Sequence, residues 1–382
     1  MYTRSHRKLA KRFNKGPMKA PVNDITMEIL ELLFNEEEAG IVAGFGLRPA
    51  RAGKIAKKVK RPVDEIRPIL DGLSDRGLIL ALGDGEERTY SVLPIVPGIF
   101  EFQMGRAPVD EKARRFAELF EQYFTRENLQ ESMLRSIKAG RVIPVEQSIM
   151  DTSGVMPREQ FREAISEHDL FGLAHACSCR QHKELVGDPC TRPKDVCMSF
   201  GPIAEFGAKY GMVRLVSREE MMDAIDRAEE AGLVHITDNV TKPSFSCNCC
   251  GCCCGILTHL NGFNLPSLFV RSRFMVKIDE QACNGCGKCA RVCPVGAVHV
   301  LNKRLIYESW RCIGCGVCIG SCNEHQALAL TLRPDWRPIA DNHGQLAVDL
   351  ATQYFGIDRY TNAVPGFTRF LGKRLQKLMS RD

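Results

Sequence analysis

The chain has 382 residues, 44% of them hydrophobic, so it is long enough for two or three domains with real cores. No stretch approaches 18 uninterrupted apolar residues, which excludes a membrane-spanning helix. The 18 cysteines do not read as a secreted disulfide scaffold, because such scaffolds are short and do not carry the Cys-Cys and Cys-Cys-Cys runs found here. The amino terminus lacks the apolar core of a secretory signal. A reducing, anaerobic cytoplasm is the expected setting.

The net charge is +6, and residues 1–20 hold seven basic residues (Arg4, Arg7, Lys8, Lys11, Arg12, Lys15 and Lys19) and no acid. This segment reads as a basic arm, disordered when free and able to meet an anionic partner, nucleic acid or membrane surface. Residues 21–103 read as a winged-helix-like domain. Apolar spacing predicts helices over 25–34, 50–59 and 63–76, the last closed by Gly77. Residues 78–80 and 88–92 then form a hairpin around Gly83-Asp84-Gly85, the wing. In a DNA-binding version the third helix would enter the major groove. Here it carries Asp64, Glu65, Asp71 and Asp75 against Arg67 and Arg76, and Pro68 interrupts it. Phosphates repel that charge, so nucleic acid is not the favoured partner and a docking or structural role is. Residues 104–158 read as a helical linker, with amphipathic helices over 110–124 and 127–139.

The Cys-rich α/β module, residues 159–275, holds ten cysteines in two sets. Cys177, Cys179, Cys190 and Cys197 come first; Cys247, Cys249, Cys250, Cys252, Cys253 and Cys254 follow. Between them a Ser217-x-x-Glu220 capping box opens a helix that ends at Gly232. All ten are candidate metal ligands, since soft thiolates at this density suit iron–sulfur clusters or zinc rather than hard cations. One or two further iron–sulfur clusters, an unusual cluster, and zinc all fit the spacing, and spacing alone does not divide the ligands. His175 and His182 flank the first set, and Arg180 and Lys183 place positive charge beside it.

In residues 276–332 the other eight cysteines write one spacing twice. Cys283, Cys286, Cys289 and Cys293 form C-x2-C-x2-C-x3-C followed by Pro294. Cys312, Cys315, Cys318 and Cys322 repeat it, each displaced by 29 residues, with Gly285 and Gly287 recurring as Gly314 and Gly316. The segment resembles the bacterial-type two-cluster [4Fe-4S] ferredoxins at all eight positions; Asn323 stands where the second copy usually has proline. That resemblance implies a βαβ-type pseudo-repeat in which the fourth cysteine of each copy serves the other cluster. One cluster would then take Cys283, Cys286, Cys289 and Cys322, and the other Cys312, Cys315, Cys318 and Cys293. Residues 333–382 read as a helical tail, whose basic amphipathic stretch over 367–379 suits a partner subunit or a membrane surface.

The expected fold class is therefore α+β and multidomain. The order of winged helix, cysteine-rich module and two-cluster ferredoxin resembles the multi-cluster ferredoxin-type proteins of anaerobes. That likeness implies a cytoplasmic carrier of single low-potential electrons that works with a partner oxidoreductase or catalytic subunit. No catalytic residue is expected: the chain lacks a haem-attachment motif, a phosphate loop and a complete dinucleotide fingerprint. Two alternatives stand beside it, a redox-sensing winged-helix regulator and an oxidoreductase with an unusual catalytic cluster in the central module.

Overall fold

The computed structural model describes residues 2–15, 19–46, 48–106, 109–125, 140–149, 152, 155–156, 159–262, 270–334 and 339–354. It has mixed helix and sheet and a cysteine-rich region. The chain forms two compact units. The first comprises residues 1–132, 169–227 and 253–255; the second comprises 133–168, 228–252 and 256–382.

In the first unit the basic arm is not disordered. Arg4–Phe13 is a helix whose Thr3 side chain accepts from the His6 N–H. Its basic residues occupy one face, while His6, Leu9, Ala10 and Phe13 are buried. Charge alone suggested a solvated tail, but apolar residues at helical spacing supply a face to bury. The His6 ring bonds to the Phe34 carbonyl at 2.8 Å, and Arg12 donates to the Phe45 carbonyl at 3.1 Å.

Helices Asp24–Leu33, Ala52–Val59 and Val63–Asp75 follow the apolar periodicity. Pro68 does not end the third, which continues for seven residues beyond it. A further helix, Glu36–Ala43, begins at a reciprocal capping box between Asn35 and Glu38. Strand Ala50–Arg51 pairs with Thr89–Val92, which pairs with Ile79–Leu82, all antiparallel, and a 3-10 turn at Gly85–Glu87 joins the longer two. Gly77 must be glycine: its φ is +66°, and a Cβ there would meet the Phe102 ring.

Helix Glu111–Tyr123 agrees with the sequence pattern; the second expected linker helix, 127–139, lies outside the described residues. Phe100, Phe116, Phe120, Tyr123 and Phe124 form an aromatic core, with the Phe100 and Phe120 rings stacked at 4.6 Å. Strand Phe171–Ala174 pairs antiparallel with both Met198–Phe200 and Val213–Val216. Ser217 caps helix Arg218–Glu230 by accepting from the Glu220 N–H at 3.2 Å, but the Glu220 carboxylate pairs with Arg214.

In the second unit, Val234–Asp238 lies between Gly140–Ile143 and Phe245–Cys249, all antiparallel. The buried Arg273–Glu159 pair, at 2.5 Å, ties the segment before residue 274 to residue 159. Strands Phe274–Ile278 and Leu328–Leu332 pair in register from Phe274↔Leu332 to Ile278↔Leu328, closing the ferredoxin segment at its two ends. Inside it, Val298–Leu301 and Arg304–Tyr307 make a hairpin whose turn residues Asn302 and Lys303 both have positive φ, as a two-residue turn of this hand requires. Helix His343–Tyr354 follows; the basic stretch 367–379 lies outside the described residues. Among the described residues no helix is long and apolar enough to cross a membrane.

Candidate metal centres

Each copy of the cysteine repeat folds as a tight loop and a short helix. In Cys283-Asn284-Gly285-Cys286-Gly287, the glycines have φ of +70° and +74°; in Cys312-Ile313-Gly314-Cys315-Gly316, they have +67° and +78°. Such values turn the backbone so that successive thiols face one point, a conformation that side chains with a Cβ resist. Helices Lys288–Val292 and Val317–Gly320 then bring Cys289 and Cys318 to the same side. The Asn284 side chain holds the first loop by accepting from the Cys286 N–H at 3.1 Å. In the second, Ser272 donates to the Gly314 carbonyl at 2.7 Å, and the buried Arg333 donates to the carbonyls of Phe274 and Cys312.

Two openings result. Cys283, Cys286, Cys289 and Cys322 line the first; Cys293, Cys312, Cys315 and Cys318 line the second. Each joins three thiols from one repeat to the fourth thiol of the other. Burial raises the thiol pKa of Cys289, Cys315 and Cys318, so these sulfurs stay protonated until a cation compensates their charge. The openings differ in exposure: Cys286 faces solvent, whereas Cys312, Cys315 and Cys318 are all buried. Spread soft donors around a cradle that a Cβ would fill suit an iron–sulfur cluster.

The first unit gathers part of the central set. The Cys177 thiol is in hydrogen-bonding contact with Cys179 and Cys197, and Cys179 with Cys254. Those contacts hold Cys177 low, with the Arg180 charge adding to the effect, and hold Cys179 high. Cys177 caps helix Ser178–Leu185 and donates its N–H to the Lys194 carbonyl at 2.6 Å. Also in this unit, the sulfurs of Cys190 and Cys253 lie within 4.8 Å of each other. Cys252 and Cys253 lie in the turn 251–253, which Cys250 precedes, and Cys247 and Cys249 lie on strand Phe245–Cys249.

His182 is not aimed at the thiols. Its ring bonds to the Ala117 carbonyl at 3.0 Å and meets Phe100 edge-on, and burial lowers its pKa. Lys183 pairs with Glu121 at 2.8 Å, while Arg180 is fully buried. Ser272 and Arg333 were not legible as supports of the second thiol loop, because each lies more than ten residues from the cysteines it steadies.

Residues 275–323 match the family described as a 4Fe-4S dicluster domain, a span that includes all eight repeat cysteines. No curated protein and no solved structure matches the chain. The matched span is a ferredoxin-type domain that binds 4Fe-4S clusters.

Proposed function

We propose that the protein carries single electrons through two [4Fe-4S] clusters in the ferredoxin domain, and through further metal–thiolate centres in the cysteine-rich module, to or from a partner oxidoreductase. The observation that carries this reading is the pair of matched openings, each lined by three thiols of one repeat and the fourth of the other. Cys283, Cys286, Cys289 and Cys322 hold the first cluster, and Cys312, Cys315, Cys318 and Cys293 the second. Each cluster supplies one-electron exchange, at a potential set by charge, hydrogen bonding and exposure. The chain's own contribution is to fix the thiols, exclude water from the second opening and direct N–H groups at sulfur, as Ala297 N–H does to Cys293 at 3.2 Å.

Anaerobic reconstitution of the full chain with an EPR-monitored redox titration tests the reading. Cys322→Ala should remove one ferredoxin signal and Cys293→Ala the other, each with loss of about four irons. Loss of both signals from either variant, or protein that no low-potential donor reduces, overturns it.

The succession of two helices, short strand, two helices and two further strands, with the strands in one antiparallel sheet, supports a winged-helix reading of the amino-terminal domain. We assign it to protein docking rather than DNA. Its arginines pair within the domain: Arg61 with Glu37 and Glu65, Arg67 with Glu86, Arg88 with Asp71. Those charges are already answered before any phosphate arrives. Salt-dependent binding of a DNA duplex in either oxidation state would favour the regulator instead.

A further inference from the structure

We propose that Cys177, Cys179, Cys197 and Cys254 together hold a further iron–sulfur cluster, with Arg180 as its buried counter-charge. The proposal deepens the electron-carrier reading by giving the cysteine-rich module a ligand set. Three short segments supply the thiols, the most distant separated by more than 70 residues, and all four belong to the first unit. Their contacts run in a line: Cys197 meets Cys177, Cys177 meets Cys179, and Cys179 meets Cys254.

That shape discriminates between occupants. A single zinc ion with Zn–S bonds of about 2.3 Å draws every pair of its four sulfurs to about 3.8 Å. Among the described residues, mutual approach within 4.8 Å is met by the group that includes Cys190 and Cys253, and not by these four. They form an open chain of pairwise contacts instead. An open chain of thiols can give each sulfur a different iron of a multi-iron centre, whereas one ion needs every pair close.

The surroundings answer the charge such a centre brings. Four thiolates on an iron–sulfur core carry net negative charge, and burying it unpaired is costly. Arg180 follows Cys179 directly and is 0% exposed. A guanidinium cannot shed its proton to escape burial, so its charge is permanent. Cys177 also sits at the start of helix Ser178–Leu185, where partial positive charge favours a thiolate. The His182 bond to Ala117 anchors the far end of that helix and keeps Cys177 and Cys179 in place. Cys177 and Cys254 are buried, and Cys179 and Cys197 are half-buried.

The test uses the full chain, reconstituted anaerobically and analysed for iron, sulfide and zinc alongside EPR. Cys197→Ser and Cys254→Ser should each lose about four irons and four sulfides per chain relative to wild type. One EPR signal should disappear, while the signals sensitive to Cys293→Ala and Cys322→Ala remain. Unchanged iron, or loss of zinc in its place, overturns the proposal. Where either serine variant fails to fold by circular dichroism, Arg180→Lys and Arg180→Gln decide the matter. The lysine should leave every midpoint potential in place, and the glutamine should move one signal to more negative potential and no other. If no signal moves, or all move together, the assignment fails. Failure of the ferredoxin reading itself would appear separately, as absence of the signals sensitive to Cys293→Ala and Cys322→Ala.

Discussion

Gly287→Ala and Gly316→Ala make the same change at equivalent places in the two repeats, yet the second should destabilise the protein more. Both glycines have positive φ, +74° and +78°, so an alanine at either pays about 1–2 kcal/mol for the left-handed backbone. Space separates them. At Gly287 the nearest atom to an added Cβ is Val300 Cγ2 at 3.5 Å, an ordinary contact. At Gly316 the Cβ would overlap the Ser148 hydroxyl and lie 2.5 Å from the Ser148 Cβ and 3.2 Å from Val145 Cγ2. The hydroxyl is fixed, because it donates to the Val145 carbonyl at 2.6 Å. Overpacking of this kind adds about 1–3 kcal/mol. The totals are about 1–2 kcal/mol for Gly287→Ala and about 2–5 kcal/mol for Gly316→Ala. Anaerobic urea titration followed by visible absorbance and circular dichroism measures both. Removing Ser148 in a Gly316→Ala/Ser148→Gly double variant should recover part of the loss, a coupling that two independent defects would not show. Equal destabilisation by the two alanines, or strict additivity in the double variant, would refute the packing argument.

His343 lies 2.5 Å from Asp238, which also accepts from the Ser244 N–H and hydroxyl, and this bond raises the imidazole pKa. The tie is fully present below the ordinary imidazole pKa and is lost as pH rises through the higher folded value. NMR titration of His343 should therefore give a pKa above that of the Asp238→Asn variant, and an equal value would remove the tie. Leu9 and Phe13 are 0% and 2% exposed, so truncating either to alanine should cost about 2–5 kcal/mol. Trypsin should then cut at Lys8 and Lys11 much faster in those variants than in wild type; equal rates would restore the reading of a loose arm.

The thiol loops were legible because their chemistry is local: three ligands fall within seven residues, and glycines mark where the backbone must turn. The hairpin of Ile79–Leu82 and Thr89–Val92 and three of the helices before it followed from apolar spacing and from Gly77. The helix Glu36–Ala43 was missed because Glu36-Glu37-Glu38 looks like a solvated loop, whereas acids in a first turn favour a helix start. The helix Arg4–Phe13 was missed because seven positive charges obscured four residues at helical spacing. The partners of Cys177 and Cys179 were beyond reach, since Cys254 comes to them only through the tertiary fold. Spacing specifies a site when one loop builds it, and only the fold does so when three segments converge.

In air, the two halves of the ferredoxin domain would age at different rates. Dioxygen reaches the edge at Cys286 directly, while Cys312, Cys315 and Cys318 are buried. If the chain carries electrons as proposed, a preparation spoiled part-way would keep its inner store of charge and lose its doorway first. Its colour would then persist after it had ceased to trade electrons with anything outside.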